Sequence, residues 1–124
     1  MGKILLIDDA MTVRMYHRQI LEQGGYSVDE AENGIEAIEK ALSEKYELYL
    51  VDINMPKMDG YSFLTEVRQR EELLYTPAIM ISTEAREGDR EKAFQSGATT
   101  YMVKPVKPDA LLCTVALLMS GAAA

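Results

Sequence analysis

The sequence predicts an open, doubly wound α/β sheet. Three observations lead there. Five apolar runs of strand length recur along the 124 residues, stretches of helical periodicity lie between them, and most of the runs are apolar nearly throughout instead of alternating with polar residues. Runs apolar on both faces belong to parallel strands covered by helices on two sides.

The first strand is KILLI, residues 3–7. A helix follows over 11–23, where Val13, Tyr16, Ile20 and Leu21 stand at helical spacing, and Gly24 is expected to supply the left-handed residue that stops it. The second strand is YSVDEA, 26–31, and the second helix runs over 34–44 on Ile35, Ala37, Ile38 and Leu42. Asn33 caps that helix, with Glu36 as the acidic reply three residues on. LYLV (48–51), AIMI (78–81) and TYMV (100–103) complete the strands. Helices are expected around 60–71 and over 87–96, the latter closed by Gly97. A last helix starts at Pro108, where the missing N–H costs nothing. No internal repeat, linker or break in composition divides the chain, and residues 1–124 are read as one domain.

Composition narrows the function. With 48% hydrophobic and 27% charged residues, the chain is an ordinary globular one, long enough to bury a core without disulfides. A formal charge of −7 repels nucleic-acid backbones and anionic membranes, so neither is expected as the main partner. One cysteine, Cys113, excludes an internal disulfide and suits a reducing compartment. The opening MGKILLIDD is too short an apolar run for a signal peptide and meets acids at once, and no stretch reaches the roughly 18 apolar residues of a membrane span. A cytoplasmic protein is expected.

In a doubly wound sheet, ligands bind beyond the carboxyl ends of the strands, where strand order reverses. Asp8 and Asp9 stand at the end of the first strand, Asp52 at the end of the third, Ser82 and Thr83 after the fourth, and Lys104 after the fifth. If the first and third strands are neighbours, three carboxylates meet across the crevice. Two unit charges about 4 Å apart repel by roughly 4 kcal/mol at an effective dielectric constant near 20, so the cluster calls for a cation. All-oxygen ligation selects a hard ion, and so few carboxylates leave positions for water or a phosphoryl group, as Mg²⁺ prefers. Mg²⁺ beside a carboxylate, a hydroxyl and a lysine is an arrangement for phosphoryl transfer.

The paired acids after the first strand, VDINMPKMDG around the third acid, a hydroxyl residue after the fourth strand and KP after the fifth together resemble the receiver domain of two-component response regulators. The likeness covers essentially the whole chain and is nearest to single-domain chemotaxis regulators of the CheY kind. It implies a flavodoxin-like (βα)5 fold with strand order 2-1-3-4-5. It also implies that Asp52 takes a phosphoryl group from a phosphohistidine of a sensor histidine kinase or phosphotransfer protein, giving an acyl phosphate. By the same likeness Asp9, Asp52 and the main-chain carbonyl of Asn54 ligate Mg²⁺, Asp8 acts through a bound water, Lys104 pairs with the phosphoryl oxygens, and Ser82 donates to them. The Lys104–Pro105 peptide is expected to be cis. Tyr101 takes the place of the family's switch aromatic and, with Val103, shares one face of its strand. The likeness also implies that Asn54 and Glu84 flank the path of the attacking water, so the acyl phosphate is expected to last seconds to minutes.

Other residues read more plainly. Asp59 caps a helix; Thr83 competes with Ser82 as the hydroxyl; Met55 and Met58 pack around the loop; His17 is a partly buried structural histidine; and Cys113 is a small hydrophobe of the last helix. The stretch ALLCTVALLMSGAAA carries no charge on its outer face, unlike a surface helix. Either a partner or a second copy covers it, or the tail frays, and an interface on the fifth strand and last helix near Tyr101 is expected.

The function these features point to is a phosphorylation-controlled binding switch that signals by protein contact, in chemotaxis through a target such as the flagellar motor switch, or alternatively in a phosphorelay or stress pathway. Beyond its own Mg²⁺-dependent phosphorylation and dephosphorylation it is not expected to be an enzyme. An aspartate-nucleophile phosphatase would want a second acid two residues after the nucleophile, where Asn54 stands. A constitutive pseudo-receiver would leave the full set of Asp8, Asp9, Asp52, Ser82 and Lys104 without use.

Overall fold

The structure, a computed structural model, describes residues 2–83 and 87–121. Strands and helices alternate: β1 (Lys3–Ile7), α1 (Met11–Gln23), β2 (Ser27–Ala31), α2 (Gly34–Ser43), β3 (Leu48–Asp52), α3 (Gly60–Val67), β4 (Ala78–Ser82), α4 (Glu87–Ser96), β5 (Thr100–Val103) and α5 (Pro108–Gly121). The strands form one parallel five-stranded sheet in the order β2-β1-β3-β4-β5, with β1 and β3 adjacent.

Alternate side chains point to opposite faces of a strand, so each central strand feeds two cores. Leu5, Ile7, Tyr49, Val51 and Met80 face α2, α3 and α4, where Phe63, Leu64 and Ala93 meet them. Ile4, Leu6, Leu48, Leu50, Ile79 and Ile81 face α1 and α5, against Ile20, Leu21, Leu111 and Val115. Every residue of β3 and β4 is buried, which is why these runs show no alternation in the sequence. Each such aliphatic side chain contributes roughly 1.5–3 kcal/mol on burial.

Several helical details differ from the sequence reading. The buried stripe of α1 is Arg14, His17, Ile20 and Leu21, while Tyr16 is 40% exposed. The helix is turned because Arg14 has polar partners beneath it, and Tyr16 instead sends its hydroxyl to the Val106 carbonyl, 2.9 Å away. In α2 the small residues Gly34, Ala37 and Ala41 lie inward with Ile38, leaving Ile35 and Leu42 exposed. The left-handed stop after α1 is Gly25, at φ +93°, and not Gly24, at φ −80°. α3 ends at Val67, where the following N–H groups turn to carbonyls three residues back, Gln69 to Glu66 and Arg70 to Val67, and the Arg68 guanidinium bonds the carbonyls of Gly97, Leu74 and Thr76. Cys113 lies in α5 but is exposed, and His17 is fully enclosed instead of partly.

Other local expectations hold. Gly97 closes α4 at φ +113°. Asn33 accepts from the Glu36 N–H at 2.9 Å, and Glu36 replies to the Glu32 N–H. Asp59 caps α3 through the Ser62 N–H at 2.8 Å, and Met55 and Met58 pack against the core beside that loop.

Candidate functional site

Strand register assembles the site. Ile7 lies opposite Val51 in the β1–β3 pair, so the next residue in each chain, Asp8 and Asp52, emerge side by side. Ser82 lies opposite Val103, which brings Lys104 next to the end of β4. Carboxylate oxygens of Asp8, Asp9 and Asp52 all lie within 4.8 Å of one another. Asp8 and Asp52 are buried and Asp9 is exposed.

Each group is held by its surroundings. The Asp8 N–H donates to the Ala31 carbonyl at 3.1 Å, and its Oδ1 accepts from the Ala10 N–H at 2.9 Å. Lys104 Nζ donates to Asp52 Oδ1 at 2.8 Å and to Asp8 Oδ2 at 3.2 Å. Behind Asp52, a Cβ at Gly60 would stand 2.5 Å from the Asp52 carbonyl oxygen. Only glycine lets α3 begin so close, and there the Gly60 N–H donates to the Ile53 carbonyl at 2.9 Å. At the tip of the intervening loop Lys57 takes φ +68°, closing a tight turn in which the Met58 N–H meets the Pro56 carbonyl at 2.7 Å. The Lys104–Pro105 peptide is cis, as expected.

The electrostatics are those of a site short of positive charge. Burial pushes the Asp52 carboxyl up to about 6; the Lys104 hydrogen bond opposes this, and the charges of Asp8 and Asp9 add to it. Burial alone would lower the Lys104 ammonium, but its hydrogen bond to Asp52 and the charges of Asp52 and Asp8 carry it above its ordinary value. Three carboxylates against one ammonium leave a negative, all-oxygen cluster, two of its members removed from water. Such a cluster fits a hard divalent cation.

The residues named from the sequence fall as follows. Asp8, Asp9, Asp52 and Lys104 converge. Ser82 is buried at the end of β4, while its competitor Thr83 is exposed. Asn54 is exposed two residues beyond Asp52. Glu84 lies outside the described residues. Tyr101 is buried on the same face as Val103, with the Arg90 guanidinium 5.0 Å from its ring centroid. His17 is enclosed with its Nδ1 unpartnered, and burial lowers its pKa, so it stays a neutral structural residue. Arg14 was not among the residues selected from the sequence: it is buried, donates through Nη1 to the Asp8 carbonyl at 2.7 Å and through Nε to Glu30 at 2.8 Å. Its signal was present in the spacing of 14, 17 and 21, which is that of a buried stripe.

A family model described as the response regulator receiver domain matches residues 4–116. Transcriptional regulatory protein ResD of Bacillus subtilis is 38% identical over 120 residues, which is 97% of this chain and 49% of ResD. The chain thus spans about half the length of the curated relatives it matches. Among solved structures, the chemotaxis response regulator CheY4 of Vibrio cholerae superposes with a TM-score of 0.90 at 34% identity, covering 95% of this chain and 98% of that one. The receiver domain of the sensor histidine kinase PA1611 from Pseudomonas aeruginosa, which holds a magnesium ion in its active site cleft, superposes with a TM-score of 0.90 at 31% identity, covering 96% and 98%.

Proposed function

The chain belongs to the family of response regulator receiver domains, and from that premise we propose that it is a phosphorylation-controlled switch with Asp52 as the phosphoryl acceptor. The observation that supports this most directly is the buried Asp52 carboxylate with Lys104 Nζ at 2.8 Å and the carboxylates of Asp8 and Asp9 beside it.

In the proposed reaction a carboxylate oxygen of Asp52 attacks phosphorus. A new O–P bond forms while the P–N bond to the donor imidazole breaks, and the departing nitrogen keeps the electron pair. Asp9, Asp52 and the Asn54 carbonyl would hold Mg²⁺, with Asp8 acting through a bound water; the three carboxylates stand together at the strand ends. When bound, Mg²⁺ supplies neutralisation of the charge on the phosphoryl oxygens. Lys104 pairs with those oxygens from the β5 side, and the Ser82 hydroxyl donates to them from β4. Asn54, exposed beside Asp52, positions a water for hydrolysis of the acyl phosphate.

Output is proposed to run through protein contact. The phosphoryl group adds nearly two negative charges at the end of β3, enough to bias the segment between Ser82 and Tyr101. The input partner is proposed to be a histidine kinase or phosphotransfer protein, and the compartment the cytoplasm; no helix among the described residues is long and apolar enough to cross a membrane. The pathway is open to two readings. Likeness to CheY4 supports chemotaxis, and likeness to ResD supports control of transcription. The absence of charged residues in α5 after Asp109, with Cys113 and Leu117 exposed, supports β5 and α5 as a contact surface.

Mass spectrometry after incubation with acetyl phosphate and Mg²⁺ tests the switch. One phosphoryl group gained, and none with Asp52→Asn or with EDTA, is the expected result. No gain by a folded wild type moves the chain to the constitutive binding reading.

A further inference from the structure

We infer that Arg14 is a positioning residue for the acid pair, holding the peptide that joins Asp8 to Asp9 and thereby setting where the Asp9 carboxylate stands for a divalent cation. The inference rests on the reading of Asp8, Asp9 and Asp52 as a cation site.

Asp8 is fixed at four points. Its N–H meets the Ala31 carbonyl, Oδ1 the Ala10 N–H, and Oδ2 the Lys104 ammonium; its own carbonyl accepts from Arg14 Nη1 at 2.7 Å. That last bond holds the plane of the peptide leading into Asp9. Asp9 itself is exposed, so its place depends on the backbone that carries it. A charge-assisted bond to a buried carbonyl is a strong restraint, about twice a neutral one.

The guanidinium is itself held. Its Nε donates to Glu30 Oε1 at 2.8 Å, and its Nη2 lies 3.8 Å from Glu32. Glu30 sits in β2 opposite Leu6 of β1, and it also takes Arg18 on its carboxylate and Lys40 on its carbonyl. One nitrogen of a rigid fork therefore rests on a carboxylate anchored in the sheet while another points at the acid pair. A lysine, with a single ammonium, cannot meet both partners in that geometry. Lys104 grips Asp8 by its side chain and Arg14 by its main chain, so the two cations restrain different degrees of freedom.

Calorimetric titration of Mg²⁺ into the full chain tests this, with the Mg²⁺ concentration that gives half-maximal phosphorylation by acetyl phosphate as a second readout. Arg14→Gln is expected to weaken Mg²⁺ binding by about 10–100-fold, the range for groups that orient metal ligands, and to raise that Mg²⁺ concentration by a similar factor. Arg14→Lys keeps the charge and loses the fork, and is expected to remain weakened. Wild-type affinity in Arg14→Gln, with only a lower denaturation midpoint, would assign the residue to packing and overturn the inference. Wild-type affinity in Arg14→Lys would also overturn it, since charge alone would then suffice. Should the Arg14 variants not fold, Glu30→Gln decides: weaker Mg²⁺ binding supports the inference and unchanged binding overturns it. Absence of Mg²⁺ binding by wild type removes the cation-site reading and this inference with it, an outcome distinct from unchanged affinity in the variants.

Discussion

Lys104 Nζ lies 2.8 Å from Asp52 Oδ1, joining the end of β5 to the end of β3 across β4. The same ammonium reaches Asp8 at 3.2 Å, so one cation serves two buried carboxylates. Lys104→Ala leaves both without it. Loss of one partner from a buried pair costs about 3–5 kcal/mol, and the partial exposure of Lys104 reduces the expected loss here to about 1–3 kcal/mol. Urea denaturation in EDTA measures it, and Mg²⁺ should recover a large part in the variant. A variant as stable as wild type without metal would show that the ammonium does not neutralise the site.

The carboxyl of Asp52, raised to about 6 from its ordinary value of 3.8, binds its proton more tightly in the folded chain than in the unfolded one. Its contribution to stability is therefore complete below about pH 3.8 and is lost as pH rises through about 6. Asp52→Asn, neutral throughout, should exceed wild type by about 1–3 kcal/mol at pH 7.5 in metal-free buffer, since a tenfold difference in proton affinity between folded and unfolded chain is worth about 1.4 kcal/mol. Near pH 4 the advantage should vanish. Denaturation midpoints at the two pH values check the sign.

Two glycines with positive φ should respond unequally to alanine. At Gly25, φ +93°, an added Cβ meets nothing within 4 Å, so the cost is the backbone conformation alone, about 1–2 kcal/mol. At Gly97, φ +113°, the Cβ would stand 2.5 Å from Arg68 Cγ, and the guanidinium that ties down residues 74, 76 and 97 must shift. Gly97→Ala should be the more costly by at least about 1 kcal/mol, measured by urea denaturation.

Asn54 is exposed two residues beyond Asp52, and the proposed role for it in hydrolysis is open to test. The wild-type phosphoprotein is expected to decay in seconds to minutes in Mg²⁺, and Asn54→Ala several-fold more slowly. Quenched samples followed by mass spectrometry measure both rates. Persistence of the wild-type form for hours would remove the role assigned to Asn54.

The strands and the acids were legible in the sequence for one physical reason. Strands buried on both faces must be continuously apolar, so the first polar residue after each run marks a strand end, and in this fold strand ends meet at the ligand crevice. Asp8, Asp52 and Ser82 were found that way; Lys104 follows an apolar run too, but that run is the edge strand β5, half-buried except at Tyr101. The register of α1 was not, because Arg14 and His17 take inward positions that periodicity assigns to apolar side chains, and what admits Arg14 is the Asp8 carbonyl and Glu30. Nor was the end of α3, since residues 68–70 carry no glycine or proline to mark the point where the backbone bonds tighten from four residues back to three. Ile35 and Leu42 misled for the opposite reason: α2 settles on the sheet by its small residues, leaving two large ones outside.

The strand order carries a consequence for assembly of the molecule. Asp8, Asp9 and Asp52 come from adjacent strands formed by the first 52 residues, whereas the ammonium between them arrives on β5. A nascent or partly opened chain lacking its last strand and helix holds its like charges together with no ammonium among them. Docking of that final unit and electrical balance of the crevice are therefore one event, and hydrogen exchange should find the β1–β3 ends and the β5–α5 unit opening together.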